Sequence, residues 1–519
     1  MTSVNMRSFR CVSYFVALTI LGAADVALQY FCGGIVLRHS IWMVLALSVV
    51  KGLTWGMLFA GVGLLVCPCA TVSSILLFAL PAFVVLLESI SWFAFHMGLG
   101  GEWFTLVVTS SSEEMIDFFK SIPCFTWLGF AAALAVTAVL SVVVRRGFRD
   151  LGQVRFRTRL CAAIACLLMF ALGKVAFPMG WDCAYPRFIP STVANILQYR
   201  SIRQCSSEKL PYEFSPVRED AELTAIFVIG ESVCRRNWSL FGYGRKTTPC
   251  VDALPDGNKV AFSNVRTPYP QTAVALRYLL TDADLSHDEI SFSFPAVLKH
   301  CGFTTAFISN QGHWYGIEGY ESMLFALCDR QVYIADMNLP KPVYDDAVLP
   351  VVDEVLSGTG RQAIFVHLEG SHMPLDIRCP KGREVFDEAT LTPDDAKLPA
   401  EVRRTLNGYD NSIAFTDQIL GALIAKLSAL NRPALLFYVS DHGESPRSGG
   451  WRNLQDPDCW EVPMFVWFSD QYVQAYPRVV SALRDSASNP LQLDTLLYGL
   501  VELYGLTGTY PSDRSFLCD

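Results

Sequence analysis

The hydrophobic residues of this 519-residue chain follow two patterns. Before residue 180 long apolar runs dominate, and five of them have about the 20 residues that a bilayer core requires. They lie at roughly 11–33, 41–66, 72–95, 124–144 and 160–178. After residue 222 the runs are short and alternate with segments of helical periodicity. The pattern predicts an N-terminal domain of five transmembrane helices (1–180), a polar bridging linker (181–221) and a soluble α/β domain (222–519).

Arginines are concentrated near two of the predicted span ends. The loop between the fourth and fifth spans has six of them, and the N-terminal tail has Arg7 and Arg10. Because basic residues are enriched in cytoplasmic loops, both segments are predicted to be cytoplasmic. An odd number of spans then places everything after residue 180 on the opposite side. A cleaved signal peptide is the alternative for the first span, but four further spans and no clear small-residue cleavage site favour an uncleaved anchor.

Three apolar runs of the soluble part, at 225–229, 363–366 and 434–440, end in residues that bind metals. These residues are Glu231, His367, His372, Asp441 and His442. Strands buried on both faces of a parallel sheet are continuously apolar, and ligands bind at their carboxyl ends. Carboxylate and imidazole groups are ordinary zinc ligands. Each cluster alone is compatible with an ordinary turn. Their shared position predicts one site at the edge of a doubly wound, mostly parallel sheet.

Thr272 precedes an apolar run with helical periodicity. A hydroxyl at a helix N-terminus lies in positive potential, which stabilises an alkoxide and a bound phosphate. Threonine is also a common N-cap residue. The residues alone therefore leave Thr272 open as either a nucleophile or a cap.

Composition excludes some classes of protein and agrees with others. A mean hydropathy of +0.32 and 52% hydrophobic residues agree with a membrane domain. The net charge of −8 without a basic stripe argues against nucleic-acid binding. No Gly-x-Gly-x-x-Gly follows a strand, and there is no Walker sequence. Of the 16 cysteines, nine follow the last predicted span, and none has CxxC zinc spacing.

Three motifs carry a resemblance to a known family. They are GES followed by SLFGYGRKTTP (230–249), YDNSIAFTDQ (409–418) and DHGES (441–445). Together they resemble the phosphoethanolamine transferases of Gram-negative envelopes, membrane members of the alkaline phosphatase/sulfatase superfamily. The resemblance implies a sheet of the alkaline phosphatase/sulfatase type. It also implies a multi-pass protein of the bacterial inner membrane with its catalytic domain in the periplasm.

The resemblance implies the ligands of one tightly held zinc, which are Glu231, Thr272, Asp441 and His442. Thr272 is then also the nucleophile. The family usually has another His about a dozen residues beyond the Asp-His turn, whereas this chain has the segment 451–455 (WRNLQ) there. A second zinc is therefore expected to be weakly bound or absent. Its candidate ligands beside His372 are Glu444, Asp456 and Asp458.

Further residues are assigned by the same resemblance. His372 and His367 match histidines on the phosphate side of the site or at a second metal, although His367 is equally compatible with packing against the sheet. Asn310 and Gln311 fall where substrate-contacting polar residues are found. Glu114 lies in a predicted amphipathic helix at about 110–120 and is the candidate contact for the ammonium group of a donor lipid.

The implied reaction transfers phosphoethanolamine from phosphatidylethanolamine to an envelope acceptor such as lipid A or lipopolysaccharide core. It proceeds through a phosphoethanolamine-threonine intermediate. A phosphoglycerol transferase or a sulfatase on the same fold is the nearer alternative. A membrane-tethered binding protein without catalysis is the more distant one, which the missing His keeps open.

Overall fold

The computed structural model describes scattered residues between 58 and 149. It also describes residue 337 and the segments 155–176, 210–218, 222–287, 289–311, 324–334, 342–448, 456–511 and 514–517. The chain divides into two compact units, Met1–Ile196 and Leu197–Asp519. In the first unit, helix α1 (Phe156–Ala176) begins just before the fifth predicted span.

Across these described segments, no helix combines the length and the apolar character needed to cross a membrane. Most of the first four predicted spans lies outside the described residues, as do the segment 110–120 and Glu114. The five-span topology therefore stays a prediction.

The second unit alternates helices with strands over its described residues. The helices are α2 (Pro249–Asp252), α3 (Thr272–Leu280), α4 (Phe294–His300), α5 (Val348–Leu356), α6 (Ala400–Ser428), α7 (Asp470–Ala475), α8 (Pro477–Ser486) and α9 (Leu497–Leu503). The strands are β1 (Phe214–Pro216), β2 (Thr224–Gly230), β3 (Lys259–Phe262), β4 (Val265–Arg266), β5 (Thr304–Ser309), β6 (Arg330–Tyr333), β7 (Gln362–His367), β8 (Ala434–Ser440), β9 (Met464–Phe468), β10 (Leu491–Gln492) and β11 (Leu506–Gly508).

Seven of these strands form one sheet in the order β3-β9-β8-β2-β7-β5-β6. Neighbours from β8 to β6 are parallel, and β9 is antiparallel to both β8 and β3. The predicted mostly parallel sheet is thus confirmed for this unit. Strands β8, β2 and β7 are adjacent, and Ile229 of β2 is level with His367 of β7. The carboxyl ends of all three strands therefore meet at one edge.

Both faces of the sheet are covered, because alternate side chains of each central strand enter two separate cores. From β2, Phe227 and Ile229 join a core that includes α3, α4 and α9. Ile226 and Val228 join the core that includes α5 and α6. All residues of β2 are buried, which explains why the strand is continuously apolar. Because β2 is buried on both faces, its end at Gly230 has a fixed position at the edge of the sheet. The residue that follows it, Glu231, starts from that position.

Candidate metal centre

Three ligand-type side chains converge at the ends of β2 and β8. Glu231 follows β2, and Asp441 with His442 follows β8, where Gly230 and Ser440 are paired in register. All three side chains are buried, and one ligand atom from each lies within 4.8 Å of the others. His442 Nε2 is 3.4 Å from Glu231 Oε1 and 3.4 Å from Asp441 Oδ2. We call these residues, together with Thr272, the metal cluster.

Thr272 is the first residue of α3, and its hydroxyl is directed into the cluster. The Oγ1 atom donates to Glu231 Oε2 at 3.0 Å and lies 3.3 Å from His442 Nε2. The N-cap of the helix is Gln271. The interpretation of Thr272 as a mere N-cap is therefore wrong, because the cap is the preceding residue and the Thr272 hydroxyl contacts Glu231 and His442.

The turn after β8 fixes the orientation of the imidazole. His442 Nδ1 and the carbonyl oxygen of Gly443 are 2.8 Å apart, so Nδ1–H donates to this carbonyl and leaves the Nε2 lone pair facing the cluster. A side chain at Gly443 would place a Cβ atom 1.9 Å from the carbonyl oxygen of Asp458. Only glycine therefore permits this close packing of the DHGES turn.

The two carboxyl groups of the cluster have pKa values that are shifted in opposite directions. Burial alone would raise the pKa of Glu231, but the adjacent imidazole of His442 outweighs burial and, with His372 and His367, lowers that pKa well below its usual range. Burial and, after it, the negative charge of Glu231 raise the pKa of Asp441 to about 7. The two adjacent carboxylates therefore repel each other, and a cation bound between them would stabilise their charged forms.

The cluster fits a zinc ion on two observations. Asp441 Oδ2 is buried and has no hydrogen-bond partner among the described residues, which is the situation of a ligand atom directed at a metal. The donor set of two carboxylates, one imidazole and one hydroxyl is of the nitrogen and oxygen type that zinc accepts. These residues are those that the resemblance implies.

His367 and His372 flank the cluster from the end of β7. His367 Nε2 is 3.9 Å from Glu231 Oε2, and the ring also lies against Phe307, so this residue both packs and reaches the cluster. Burial lowers the pKa of His367 to about 4, although Glu231 opposes the shift. It is therefore neutral at pH 7. His372 Nδ1 lies 2.8 Å from the carbonyl oxygen of Met373, which leaves Nε2 for another partner.

Asn310 and Gln311 follow β5, the strand beside β7. Gln311 Nε2 lies 3.4 Å from His367 Nε2 and donates to the Leu368 carbonyl oxygen at 3.2 Å. Asn310 Nδ2 donates instead to Asp345 Oδ1 at 2.8 Å. Both oxygens of Asp345 also accept backbone N–H groups of the loop after β7. Asn310 therefore supports the loop that carries His372, and its substrate contact stays a prediction.

The structure gives other partners to all three residues suggested beside His372 as ligands of a second metal. Asp456 caps a single 3-10 turn by accepting from the backbone of Asp458. Asp458 lies 3.6 Å from Arg236 and 3.9 Å from Arg447. Glu444 is buried and accepts from the backbone of Ser445 at 3.0 Å. The segment 451–455, where the family's further His is expected, lies outside the described residues.

Two of the motifs that carry the resemblance, at 230–249 and 409–418, meet in the structure. They form a network of half-buried Tyr243 with the buried residues Asn237, Arg245 and Asp410, which we call the paired network. Asp410 accepts from the other three, and Arg245 Nη1 lies 2.7 Å from its Oδ2. The signal for this network is the motifs themselves, because Asn237, Tyr243 and Arg245 lie within 230–249 and Asp410 lies within 409–418.

The chain is similar to proteins of known family and structure. A family model described as Sulfatase matches residues 224–505. The phosphoethanolamine transferase EptC of Escherichia coli K12 is 31% identical over 300 residues, which are 55% of this chain and 51% of that protein. The chain spans about half the length of the curated relatives that it matches.

Two solved structures are similar to this one. The zinc complex of the C-terminal periplasmic domain of EptC from Escherichia coli has 30% sequence identity and a TM-score of 0.55. The match covers 60% of this chain and 90% of that domain. The integral membrane protein lipooligosaccharide phosphoethanolamine transferase A of Neisseria meningitidis has a TM-score of 0.62 and covers 96% of this chain and 98% of that one. Its identity is 18%, so this similarity is one of fold alone.

Proposed function

The chain belongs to the sulfatase family, whose model matches more than half of its length, and from this premise we propose that it is a zinc-dependent phosphoethanolamine transferase of the bacterial envelope. The donor in this proposal is phosphatidylethanolamine, and the acceptor is a lipid or glycan such as lipid A or lipopolysaccharide core. The names of the relatives that it matches over its soluble part support this reaction class.

One observation carries the proposal, namely the position of the Thr272 hydroxyl. It lies at the first turn of α3 and within 3.3 Å of both Glu231 and His442. A hydroxyl held between a carboxylate and an imidazole has a proton acceptor beside it and a helix N-terminus behind it. This is the arrangement that an oxygen nucleophile for phosphoryl transfer requires.

A zinc ion bound by this cluster would lower the pKa of the Thr272 hydroxyl and neutralise negative charge at the reacting phosphate. Thr272 Oγ1 attacks phosphorus, the bond from phosphorus to the diacylglycerol oxygen breaks, and diacylglycerol leaves with a proton. In this proposal Glu231 Oε2, to which the Thr272 hydroxyl donates, takes the proton of Thr272 and passes it to the departing diacylglycerol oxygen. His372 is proposed to contact the phosphate oxygens.

The second step returns the enzyme to its starting state. An acceptor hydroxyl or phosphate oxygen attacks the phosphorus of the phosphoethanolamine-threonine, and the bond to Thr272 Oγ1 breaks. Oγ1 regains a proton from the acceptor through the same carboxylate. A membrane anchor fits this scheme because the donor is a bilayer lipid, and Glu114 is the proposed contact for its ammonium group.

For metal content, we expect one tightly held zinc and a second that is weakly bound or absent. Metal analysis after dialysis checks this stoichiometry. Two retained equivalents that the His372→Ala substitution does not reduce would contradict it.

For location, we propose five membrane spans, a cytoplasmic arginine-rich loop and a periplasmic catalytic domain. Topology reporters fused at residue 150 and at the C-terminus should report opposite sides of the membrane. The same side for both would refute the odd number of spans.

The direct test of the function is mass spectrometry of envelope lipids from cells with and without the protein. The proposal predicts an added phosphoethanolamine group on one lipid class. Donor lipids labelled in the headgroup separate the alternatives, because a phosphoglycerol transferase would label from phosphatidylglycerol instead. Release of sulfate from sulfate esters would identify a sulfatase. No turnover of any labelled lipid would favour a binding protein without catalysis.

A further inference from the structure

Ser232, the residue after Glu231, has a left-handed backbone with φ of 59°. A residue with a Cβ atom rarely adopts this conformation, which persists only where the surroundings hold it. Ser232 is also buried between the two strands that supply the metal cluster. The groups that hold its backbone therefore bear on the geometry of the cluster.

Ser232 contacts both carboxylates of the cluster. Its backbone N–H donates to Asp441 Oδ1 at 3.1 Å, and its Oγ donates to Glu231 Oε1 at 2.7 Å. With these two bonds in place, Asp441 Oδ2 faces His442 and Glu231 Oε2 accepts from Thr272, while Glu231 Oε1 also lies 3.4 Å from His442 Nε2. Rotation of Ser232 out of the left-handed region would break both bonds at once.

Tyr409 holds the backbone on the other side of the Ser232 Cα atom. This fully buried residue of α6 donates from its hydroxyl to the Ser232 carbonyl oxygen at 2.7 Å. The same hydroxyl accepts from the backbone N–H of Cys234 at 2.8 Å. One phenol oxygen therefore bridges the carbonyl oxygen of Ser232 and the N–H group of Cys234. The next residue, Asp410, lies in the paired network, so the phenol is attached to a rigid part of α6.

We propose that Tyr409 is a positioning residue of the metal centre, which fixes the left-handed conformation of Ser232 and thereby aligns Glu231 and Asp441. Its hydroxyl bonds to backbone atoms rather than to a ligand side chain, so it acts through Ser232. The inference rests on the proposed function in one respect, namely that Glu231 and Asp441 bind zinc.

The test measures zinc affinity of the full-length protein, by competition with a chromogenic chelator, for two matched substitutions. Tyr409→Phe removes the hydroxyl under study. Tyr472→Phe is the control, because Tyr472 is also fully buried and donates to a backbone carbonyl, that of Leu503, at 2.6 Å in another part of the unit. Partners that orient metal ligands typically contribute about 10–100-fold to metal affinity. We expect a loss of this size for Tyr409→Phe and a loss below about twofold for Tyr472→Phe.

A second comparison separates control of the Ser232 backbone conformation by Tyr409 from a general loss of packing around the metal cluster. Ser232→Ala removes the hydroxyl and keeps the unfavourable φ, whereas Ser232→Gly removes the hydroxyl and tolerates that φ. Added to Ser232→Ala, Tyr409→Phe should still cost about tenfold or more in zinc affinity. Added to Ser232→Gly, it should cost clearly less.

The outcomes distinguish this inference from the proposed function. A wild-type protein that binds no zinc would refute both. A wild-type protein that binds zinc, with equal affinities for the two tyrosine variants or equal costs in the two Ser232 backgrounds, would refute the role of Tyr409 alone.

Discussion

The metal cluster and the paired network are both made of buried polar side chains in the motif segments, but they differ in how their charges are satisfied. In the paired network, each oxygen of Asp410 accepts a hydrogen bond, and Arg245 donates to Thr390, Asp387 and Asn407 as well. In the metal cluster, two carboxylates lie side by side, and Asp441 Oδ2 has no hydrogen-bond partner among the described residues.

The difference indicates which buried charges serve structure and which serve chemistry. A buried charge that is fully paired contributes to a unique packing, and removing its partner is costly. A buried carboxylate whose pKa is raised to about 7 by burial and a neighbouring carboxylate is unfavourable until a cation binds. The metal cluster therefore has the character of a binding site, and the paired network that of a support.

The largest expected effect is the loss of transfer in Thr272→Ala. Removal of a covalent nucleophile eliminates the two-step route and typically costs several orders of magnitude in rate. Thr272→Ser keeps a hydroxyl at this position and should retain some activity. The control is Thr281→Ala at the other end of α3, where the hydroxyl donates to the Arg277 carbonyl oxygen. Transfer assays with labelled phosphatidylethanolamine check this, and wild-type rates in Thr272→Ala would refute the role.

The next effect concerns Asp441→Asn, which is nearly isosteric and neutralises one of the two close carboxylates. Zinc affinity should fall by more than about 100-fold, because a direct ligand is lost and even supporting residues contribute 10–100-fold. The zinc-free protein should be as stable as the wild type or more stable, since an unfavourable buried charge is removed. Chelator competition and thermal unfolding in zinc-free buffer measure the two quantities. A marked loss of zinc-free stability would contradict this account of the cluster.

The same chemical change in the paired network should have the opposite effect on stability. Asp410→Asn removes the countercharge of the buried Arg245 guanidinium, and breaking such a pair costs about 3–5 kcal/mol. Urea unfolding of the zinc-free protein checks this value. A loss below about 1 kcal/mol would mean that the network is not the structural support described above.

The smallest expected effect is a change of stability with pH that comes from Asp417, another buried carboxylate of α6. Burial raises the pKa of Asp417 from its ordinary value of 3.8 to about 6. The folded state thus holds the proton more tightly than the unfolded state, and stability falls as pH rises from about 4 to about 6. Asp417→Asn does not titrate, so between pH 4 and pH 6 its stability relative to the wild type should improve by about 2 kcal/mol.

Denaturant unfolding of both proteins at pH 4 and pH 6 provides the measurement for Asp417. The substitution also lowers stability by an amount that is the same at both pH values, because Asp417 accepts the backbone N–H groups of Cys250 and Val251. An unchanged difference between the two pH values would show that Asp417 does not titrate in this range.

The sequence predicts the part of the fold that depends on local pattern. The strand at 434–440 has the bounds that its apolar run predicts, and the runs at 225–229 and 363–366 lie within β2 and β7. Continuous apolar runs mark these strands, because both faces of the sheet are covered. The position of ligand-type residues after three such runs is sufficient to predict the edge where the cluster lies.

Features that depend on distant partners could not be predicted. The left-handed conformation of Ser232 depends on Asp441 and Tyr409, which lie 209 and 177 residues further along the chain. The pairing of Asn310 with Asp345 likewise joins two loops that have no common pattern. A side chain that supports the site is therefore indistinguishable in sequence from one that contacts substrate.

The most direct measurement of the central claim is peptide mass spectrometry of the wild-type protein after incubation with phosphatidylethanolamine and no acceptor. The account predicts a phosphoethanolamine group on the peptide that contains Thr272, and its disappearance when an acceptor is added. An unmodified Thr272 peptide in a protein that transfers phosphoethanolamine would contradict the account.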